Sequence, residues 1–146
     1  MLLWRISPFL DLNGQGGLMY SARWHFAGVP VVYLAESPAG ALLEICANTT
    51  VDDVPASFTL LKVAGPNLSV EEIPLTFLSG DWVGTPEAAR HIGTEWLKSH
   101  RSALLQVPSS LVPETWNYLL NPAHPEAALF QIERSYEYPF DLRLKS

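Results

Sequence analysis

Residues Gly17 to Glu44, GLMYSARWHFAGVPVVYLAESPAGALLE, pass from a loop through a strand into a helix, and this passage decides how the chain is built. Val31 to Ala35 is a β-branched and aromatic run that reads as a buried strand. Ser37 offers an N-cap oxygen and Pro38 suits the first helical position, which predicts a helix from about Pro38 to Asn48. On that helix Ala41, Leu42 and Ile45 form the apolar stripe, and Glu44 lies on its flank, free to face a cleft. Arg23 is thereby a loop residue, Tyr33 a strand residue and Glu44 a helix residue. A guanidinium, an aromatic face and a carboxylate suit a phosphate, a planar base and a cationic sugar, so the stretch points to a nucleotide–sugar bond as substrate.

Working outward, Leu2 to Ser7 alternates well enough for a first strand. Asn13-Gly14-Gln15-Gly16-Gly17 reads as a loop because clustered glycines oppose regular structure, and a short strand is expected to begin at Met19–Tyr20. Downstream, Phe58 to Val63 reads as a strand, with a weaker candidate near Ser69 to Ile73. Thr85-Pro86-Glu87 repeats the cap-then-proline signature and opens a helix to about Lys98, with His100 and Arg101 near its end. Leu104 to Val107, ending at Pro108, and Trp116 to Leu120, closed by Asn121-Pro122, are further strands, and a last one is expected from about Pro139 to Leu144. Strand and helix do not alternate regularly, which excludes a doubly wound sheet and leaves an α+β fold.

At 146 residues with 48% hydrophobic content, the chain has the size and apolar content of a single domain spanning residues 1–146. Its twelve Pro and nine Gly are scattered, punctuating short elements. The formal net charge is −6, and the nine Lys and Arg nowhere form the dense patch that a phosphate backbone requires, so no direct nucleic-acid binding is expected. The single cysteine, Cys46, has no partner for an internal disulfide and reads as a small buried hydrophobe on a helix. His91 and His100 are nine apart, unlike helical metal ligands at i and i+4, and no metal is expected. Arg5 and Pro8 interrupt the N-terminal apolar run too early for a signal peptide, and no apolar run approaches the roughly 20 residues of a membrane span. A cytoplasmic protein without membrane contact is the expectation.

Several motifs in one order carry a resemblance. Arg5 after an N-terminal strand, Ser21-Ala22-Arg23-Trp24 with Gly28 and Pro30, Tyr33, the helix bearing Glu44, Val107-Pro108-Ser109, and Asn117-Tyr118 with Asn121-Pro122 and His124 together resemble the RES domain, over Trp4 to Arg143. That family is named for Arg, Glu and Ser, and its members are toxins of bacterial toxin–antitoxin pairs. The resemblance implies an ADP-ribosyltransferase-like fold, with a mixed β core and flanking helices. It also implies an activity that destroys NAD+, by cleaving the nicotinamide–ribose bond with water or inorganic phosphate as acceptor, or by transferring ADP-ribose to a protein. NAD+ is then a substrate and no cofactor is needed. A non-catalytic interaction module with the same fold is the reading from a different class, and intact Arg23, Tyr33, Glu44 and Ser109 speak against it.

The roles implied are catalytic for Glu44, Arg23 and Tyr33 and substrate-binding for Arg5 and Ser109. Loss of nicotinamide makes an oxocarbenium-like ribose that a fixed carboxylate stabilises, which assigns Glu44; the rigid fork of Arg23 suits a phosphate. Tyr33 would stack on the nicotinamide or bond a ribose hydroxyl, Ser109 would orient the substrate, and Arg5 is a second phosphate contact. Structural readings stand beside these: Arg23 packed on an aromatic face, Tyr33 as core, Glu44 as a solvated helix residue, Ser109 as the cap of a turn. Asn117 and Asn121 read as scaffold, and His124 as an inert loop histidine. RES members often carry Asn where this chain has His25. The family also implies an Xre-like helix-turn-helix antitoxin as partner. Trp82, Trp96 and the aromatics from Tyr136 to Phe140 are candidate apolar surface for that contact or for a homodimer.

Overall fold

Alternating side chains of the central strands feed two different apolar clusters, and this places a sheet in the middle of the molecule. On β2 (Val32–Ala35) Val32 and Leu34 join one cluster with Leu3, Leu61, Val63, Leu104, Leu120 and Phe130, while Tyr33 packs on the other. That second cluster contains Trp24, Trp96, Leu97, Leu105, Val107 and Leu119. A sheet covered on both faces has strands that read as nearly continuous apolar runs, as Val31 to Ala35 and Leu104 to Val107 do.

The computed structural model describes residues 1–68, 70–78 and 80–145. Besides β2, the strands among them are β1 (Leu2–Ile6), β3 (Ser57–Ala64), β4 (Glu71–Glu72), β5 (Leu104–Pro108), β6 (Trp116–Leu120) and β7 (Gln131–Pro139). They form one sheet of order β4-β5-β6-β2-β1-β3-β7, in which β4 and β5 are parallel and the other pairs antiparallel. Three α-helices among the described residues accompany it: α1 (Gly16–Met19), α2 (Pro38–Asn48) and α3 (Glu87–Ser99). This is the expected α+β architecture, a mixed sheet with flanking helices.

α2 has the predicted bounds and the predicted start. Ser37 Oγ accepts from the Gly40 N–H at 2.9 Å, and Pro38 occupies the first turn, where its missing N–H costs nothing. The helix packs against β1 and β2 through buried Ala41, with Cys46 half-buried rather than buried. α3 begins without the expected Thr85 cap, because the Thr85 hydroxyl donates instead to the Asp81 carbonyl at 2.6 Å. Its far end is fixed by Arg101, whose guanidinium pairs with Glu95 on the helix and Glu71 on β4.

Two elements also differ from the sequence expectation. Residues Met19–Tyr20 open no strand; Gly16–Met19 is a single helical turn, closed by Leu18 N–H to Gln15 O and Tyr20 N–H to Gly16 O. Glycines at 16 and 17 that seemed to oppose regular structure admit it here, since Gly17 lies against the backbone of Val29 and Val31 where a side chain has no room. The final strand is Gln131–Pro139, not Pro139–Leu144: it pairs with β3 from Ala64↔Gln131 to Ser57↔Pro139, with a bulge at Lys62/Val63. As an edge strand exposed over most of its length it lacks the apolar alternation that would mark it in sequence. Pro139 ends it, and Leu142–Leu144 is a 3-10 turn capped by the Asp141 carboxylate. Of the weak candidate at Ser69 to Ile73, Glu71–Glu72 is strand and Ser69 lies outside the described residues. Trp96 and Phe140 are core, Trp82 is partly buried against Trp24, and Tyr138 is exposed. No helix among the described residues is long and apolar enough to cross a membrane.

α3 comes very near the loop before β2. Gly93 lies so near the Trp24 carbonyl that a Cβ there would fall well inside contact distance of the backbone oxygen. Gly93→Ala is expected to lower stability by about 1–3 kcal/mol, whereas Gly16→Ala, with nothing within 4 Å of its Cβ, stays within roughly 0.5 kcal/mol. Urea denaturation of the two variants against the parent measures the difference.

Candidate functional site

A cleft of about 670 Å³ opens where the Ser21–Trp24 loop, the ends of β1 and β2, α2, and the turn between β5 and β6 converge. Its lining brings together Arg5, Arg23, Tyr33, Glu44, Arg90 and Asn117. The local structure of each segment explains the convergence. Gly14, at φ +70°, accepts the Gly17 and Val31 amides on its carbonyl, which folds the glycine loop back beside β2 and delivers the Arg23 loop to the strand.

Tyr33 anchors that loop. Its hydroxyl accepts from the Trp24 N–H at 3.2 Å and lies 2.7 Å from His25 Nδ1, while His25 Nε2 lies 3.2 Å from the Gly17 carbonyl. A carbonyl can only accept, so Nε2 carries the proton and Nδ1 accepts from the phenol. The phenol is thus used in both directions, and what Tyr33 presents to the cleft is its ring. Burial pushes the phenol pKa up, against the Trp24 amide and the Arg90 charge, which lower it, and keeps the hydroxyl neutral. His25, 1% exposed, has its pKa lowered mainly by burial, against its backbone hydrogen bonds and with the charge of Arg90 adding to the shift.

Arg23 donates from Nη1 to the Val83 carbonyl at 2.8 Å, and its guanidinium carbon stands 6.0 Å from the centre of the Trp82 ring. The aromatic neighbour anticipated for this arginine is therefore Trp82, which itself packs on Trp24 at 5.6 Å. Arg5 donates to the Tyr33 carbonyl at 3.2 Å; burial lowers its pKa, opposed by the charge of Asp11. Arg90 comes from α3 and donates through Nε to the Ala22 carbonyl at 2.8 Å. None of the three forms a salt bridge with a carboxylate among the described residues.

Glu44 is the carboxylate of this cleft. Its Oε1 accepts from Asn117 Nδ2 at 2.9 Å and from Ser109 Oγ at 3.4 Å. Ser109 is buried just beyond β5, and its oxygen also accepts from the amides of Leu111 and Val112, so it caps the following turn and holds the acid at once. The β6 register sets Asn117 opposite both Ala35 and Val107, a polar residue on an apolar face.

The RES domain model matches residues 2–141. The chain belongs to the RES domain family. A Pseudomonas putida protein named Toxin Res is 44% identical over 91% of this chain and 92% of its own length. A Sphingobium protein named Prs ADP-ribosylating toxin is 34% identical over 92% of this chain and 86% of its own. Among solved structures, the Mycobacterium tuberculosis MbcT–MbcA toxin–antitoxin complex contains a chain of the same fold, with a TM-score of 0.70 at 15% identity, covering 94% of this chain and 84% of that one.

In this RES domain Arg5, Arg23, Tyr33 and Glu44 line one cleft, with Ser109 bonded to Glu44 beside it. Asn121 is structural, its amide donating to the Leu97 carbonyl in the core, and His124 Nδ1 accepts from the Glu126 amide at the start of a 3-10 turn. Two cleft residues escape the sequence reading. Asn117, read as scaffold, carried one signal, a polar side chain at an apolar register position. Arg90 carried none, because its place depends on how α3 docks. Among the described residues no group of three or more His, Cys, Asp or Glu is placed to hold a metal ion.

His25 gives the site a pH dependence whose sign follows from its lowered pKa. The unfolded chain protonates this histidine near pH 6.5, and the folded one only below that. Its stabilising contribution is complete above about pH 6.5 and is lost as pH falls through the folded value. His25→Asn keeps an acceptor for the Tyr33 hydroxyl but cannot titrate. Melting temperatures from pH 7.5 down to 5 should fall more steeply for the parent than for this variant.

Proposed function

We propose that this chain is the toxin of a toxin–antitoxin pair and cleaves the nicotinamide–ribose bond of NAD+. The observation that carries the reading is a single fixed carboxylate, Glu44, in a cleft whose other charged side chains are guanidinium groups. A dinucleotide offers what such a cleft complements: a diphosphate for the arginines, a flat pyridinium for the Tyr33 ring, and a ribose that becomes cationic in the transition state.

In the reaction the C1″–N bond breaks and its electron pair stays with nicotinamide, which leaves neutral. The remaining oxocarbenium-like ribose is stabilised by Glu44, whose hydrogen bonds from Asn117 and Ser109 fix it before the charge appears, so no reorganisation is needed as the bond breaks. Water or inorganic phosphate then forms the new bond at C1″ and releases a proton, giving ADP-ribose or its 1″-phosphate. Arg5 and Arg23 hold the diphosphate, and Ser109 acts on the substrate through Glu44. The family implies an Xre-like helix-turn-helix antitoxin that covers the cleft; the toxin–antitoxin complex of the fold neighbour supports an antitoxin partner as such. The cytoplasm, where NAD+ is abundant, is the site of action.

A second reading has its own support. The Sphingobium relative is named an ADP-ribosylating toxin, and a protein nucleophile in place of water would use the same cation and carboxylate. Mass spectrometry of the products after incubation with NAD+, with and without phosphate, separates ADP-ribose, its 1″-phosphate and modified protein. Unchanged NAD+ in all mixtures would falsify the cleavage reading.

Glu44→Gln is expected to slow NAD+ consumption by about 10²–10³-fold, since the amide still accepts from Asn117 but carries no charge. Its melting temperature should match that of the parent, because a half-exposed helix side chain contributes little to stability. Undiminished turnover would remove Glu44 from the mechanism. Asn117→Ala should lower kcat more than it raises KM, which steady-state kinetics on NAD+ reads directly.

A further inference from the structure

We infer that Arg90 contacts the substrate's phosphate groups and couples that contact to the loop bearing Arg23; the inference rests on the NAD+ reading above. The residue stands on α3, outside the stretch that supplies Arg23, Tyr33 and Glu44, and reaches the cleft from the helix side. Its Nε–H is spent on the Ala22 carbonyl at 2.8 Å. A guanidinium has five N–H donors in one plane; among the described residues the four on its two terminal nitrogens have no acceptor, and a pair of them fits an oxyanion bidentately. The side chain is half-buried and has no salt bridge with a carboxylate among the described residues. Arg90 and Tyr33 line the same cleft, and the charge of Arg90 lowers the pKa of both Tyr33 and His25.

Charge complementarity gives the chemical class of what it binds. The cleft lining holds three arginines, Arg5, Arg23 and Arg90, and one carboxylate, Glu44. That is an excess of two positive charges in the lining, with the Asp11 carboxylate acting on Arg5 from outside it, in a chain whose net charge is −6. A diphosphate linking two nucleosides carries two negative charges. Because Arg90 fastens Ala22, the residue directly before Arg23, an anion bound by its terminal nitrogens is coupled to the backbone that carries Arg23. Lysine cannot do both things at once: it keeps the charge but has no second planar donor pair to offer.

The test measures binding apart from turnover. Full-length parent, Arg90→Lys and Arg90→Gln are titrated calorimetrically with ADP-ribose and with inorganic pyrophosphate, and assayed for NAD+ consumption. Loss of a charge-assisted hydrogen bond should weaken both ligands roughly tenfold or more in Arg90→Gln, with Arg90→Lys between it and the parent. KM for NAD+ should rise by a larger factor than kcat falls. If Arg90→Gln does not fold, the comparison of Arg90→Lys with the parent decides. A parent that binds ADP-ribose and consumes NAD+, with variants of equal affinity for both ligands, overturns the role of Arg90 alone. A parent that neither binds ADP-ribose nor consumes NAD+ overturns the function proposed above and this role with it.

Discussion

The site depends on one hydroxyl. Tyr33 on β2 is, among the described residues, the only one lining the cleft that is bonded both to the sheet, through its own strand, and to the Trp24–His25 segment, through its phenol oxygen. Take that oxygen away and the Trp24 amide and His25 Nδ1 lose their partner, while Arg23 next to them keeps only the Val83 carbonyl and the Trp82 ring. A buried polar group left unpaired costs about 1–3 kcal/mol, and here that cost would fall on the loop that carries the cation. Position 25 bears on the same point. The imidazole of His25 supplies an acceptor toward Tyr33 and a donor toward Gly17, the two functions that a side-chain amide also combines.

A similar economy governs the acid. Glu44 sits on a helix whose start is set locally by Ser37 and Pro38, so its height along α2 is decided before any tertiary contact forms. Its rotation is decided by strands far away in sequence, through Asn117 on β6 and Ser109 after β5. Ser109 is itself held by the turn it caps, since two backbone amides point at its oxygen. Local capping and long-range register therefore meet on one carboxylate.

Much of this was legible in the residues, and the limits are physical. α2 and β6 were readable to their ends because a proline, a capping serine or an Asn-Pro pair marks them. The central strands were readable because burial on both faces leaves apolar runs. β7 was not, since an edge strand exposed on both sides has no apolar period, and Tyr136 and Tyr138 are scattered among charges. The one-turn helix at Gly16–Met19 was hidden because the glycines there answer to the close backbone of Val29 and Val31, not to their own preferences. Within the site, Arg23, Tyr33 and Glu44 could be named from order and residue type. The Asn117–Glu44 bond, the Tyr33–His25 bond and the arrival of Arg90 depend on pairings across 73, 8 and 68 positions, which no local pattern encodes.

The strand order has a consequence for how the molecule breathes. β1 and β2 lie inside the sheet, flanked on both sides, whereas the edges are β4, two residues long, and β7, held through β3 alone. Local opening starts where a strand has one neighbour and ends where it has two, so amide protection should rise from both margins toward the middle. Arg5 and Tyr33 are rooted in that middle, while the loop of Arg23 is tied to it through the Tyr33 hydroxyl and through the Val31 amide on the Gly14 carbonyl. Fraying of either margin leaves the two rooted residues in place. The strands expected to open first and those expected to persist are thus divided along the sheet, and the cleft draws one wall from the persistent ones.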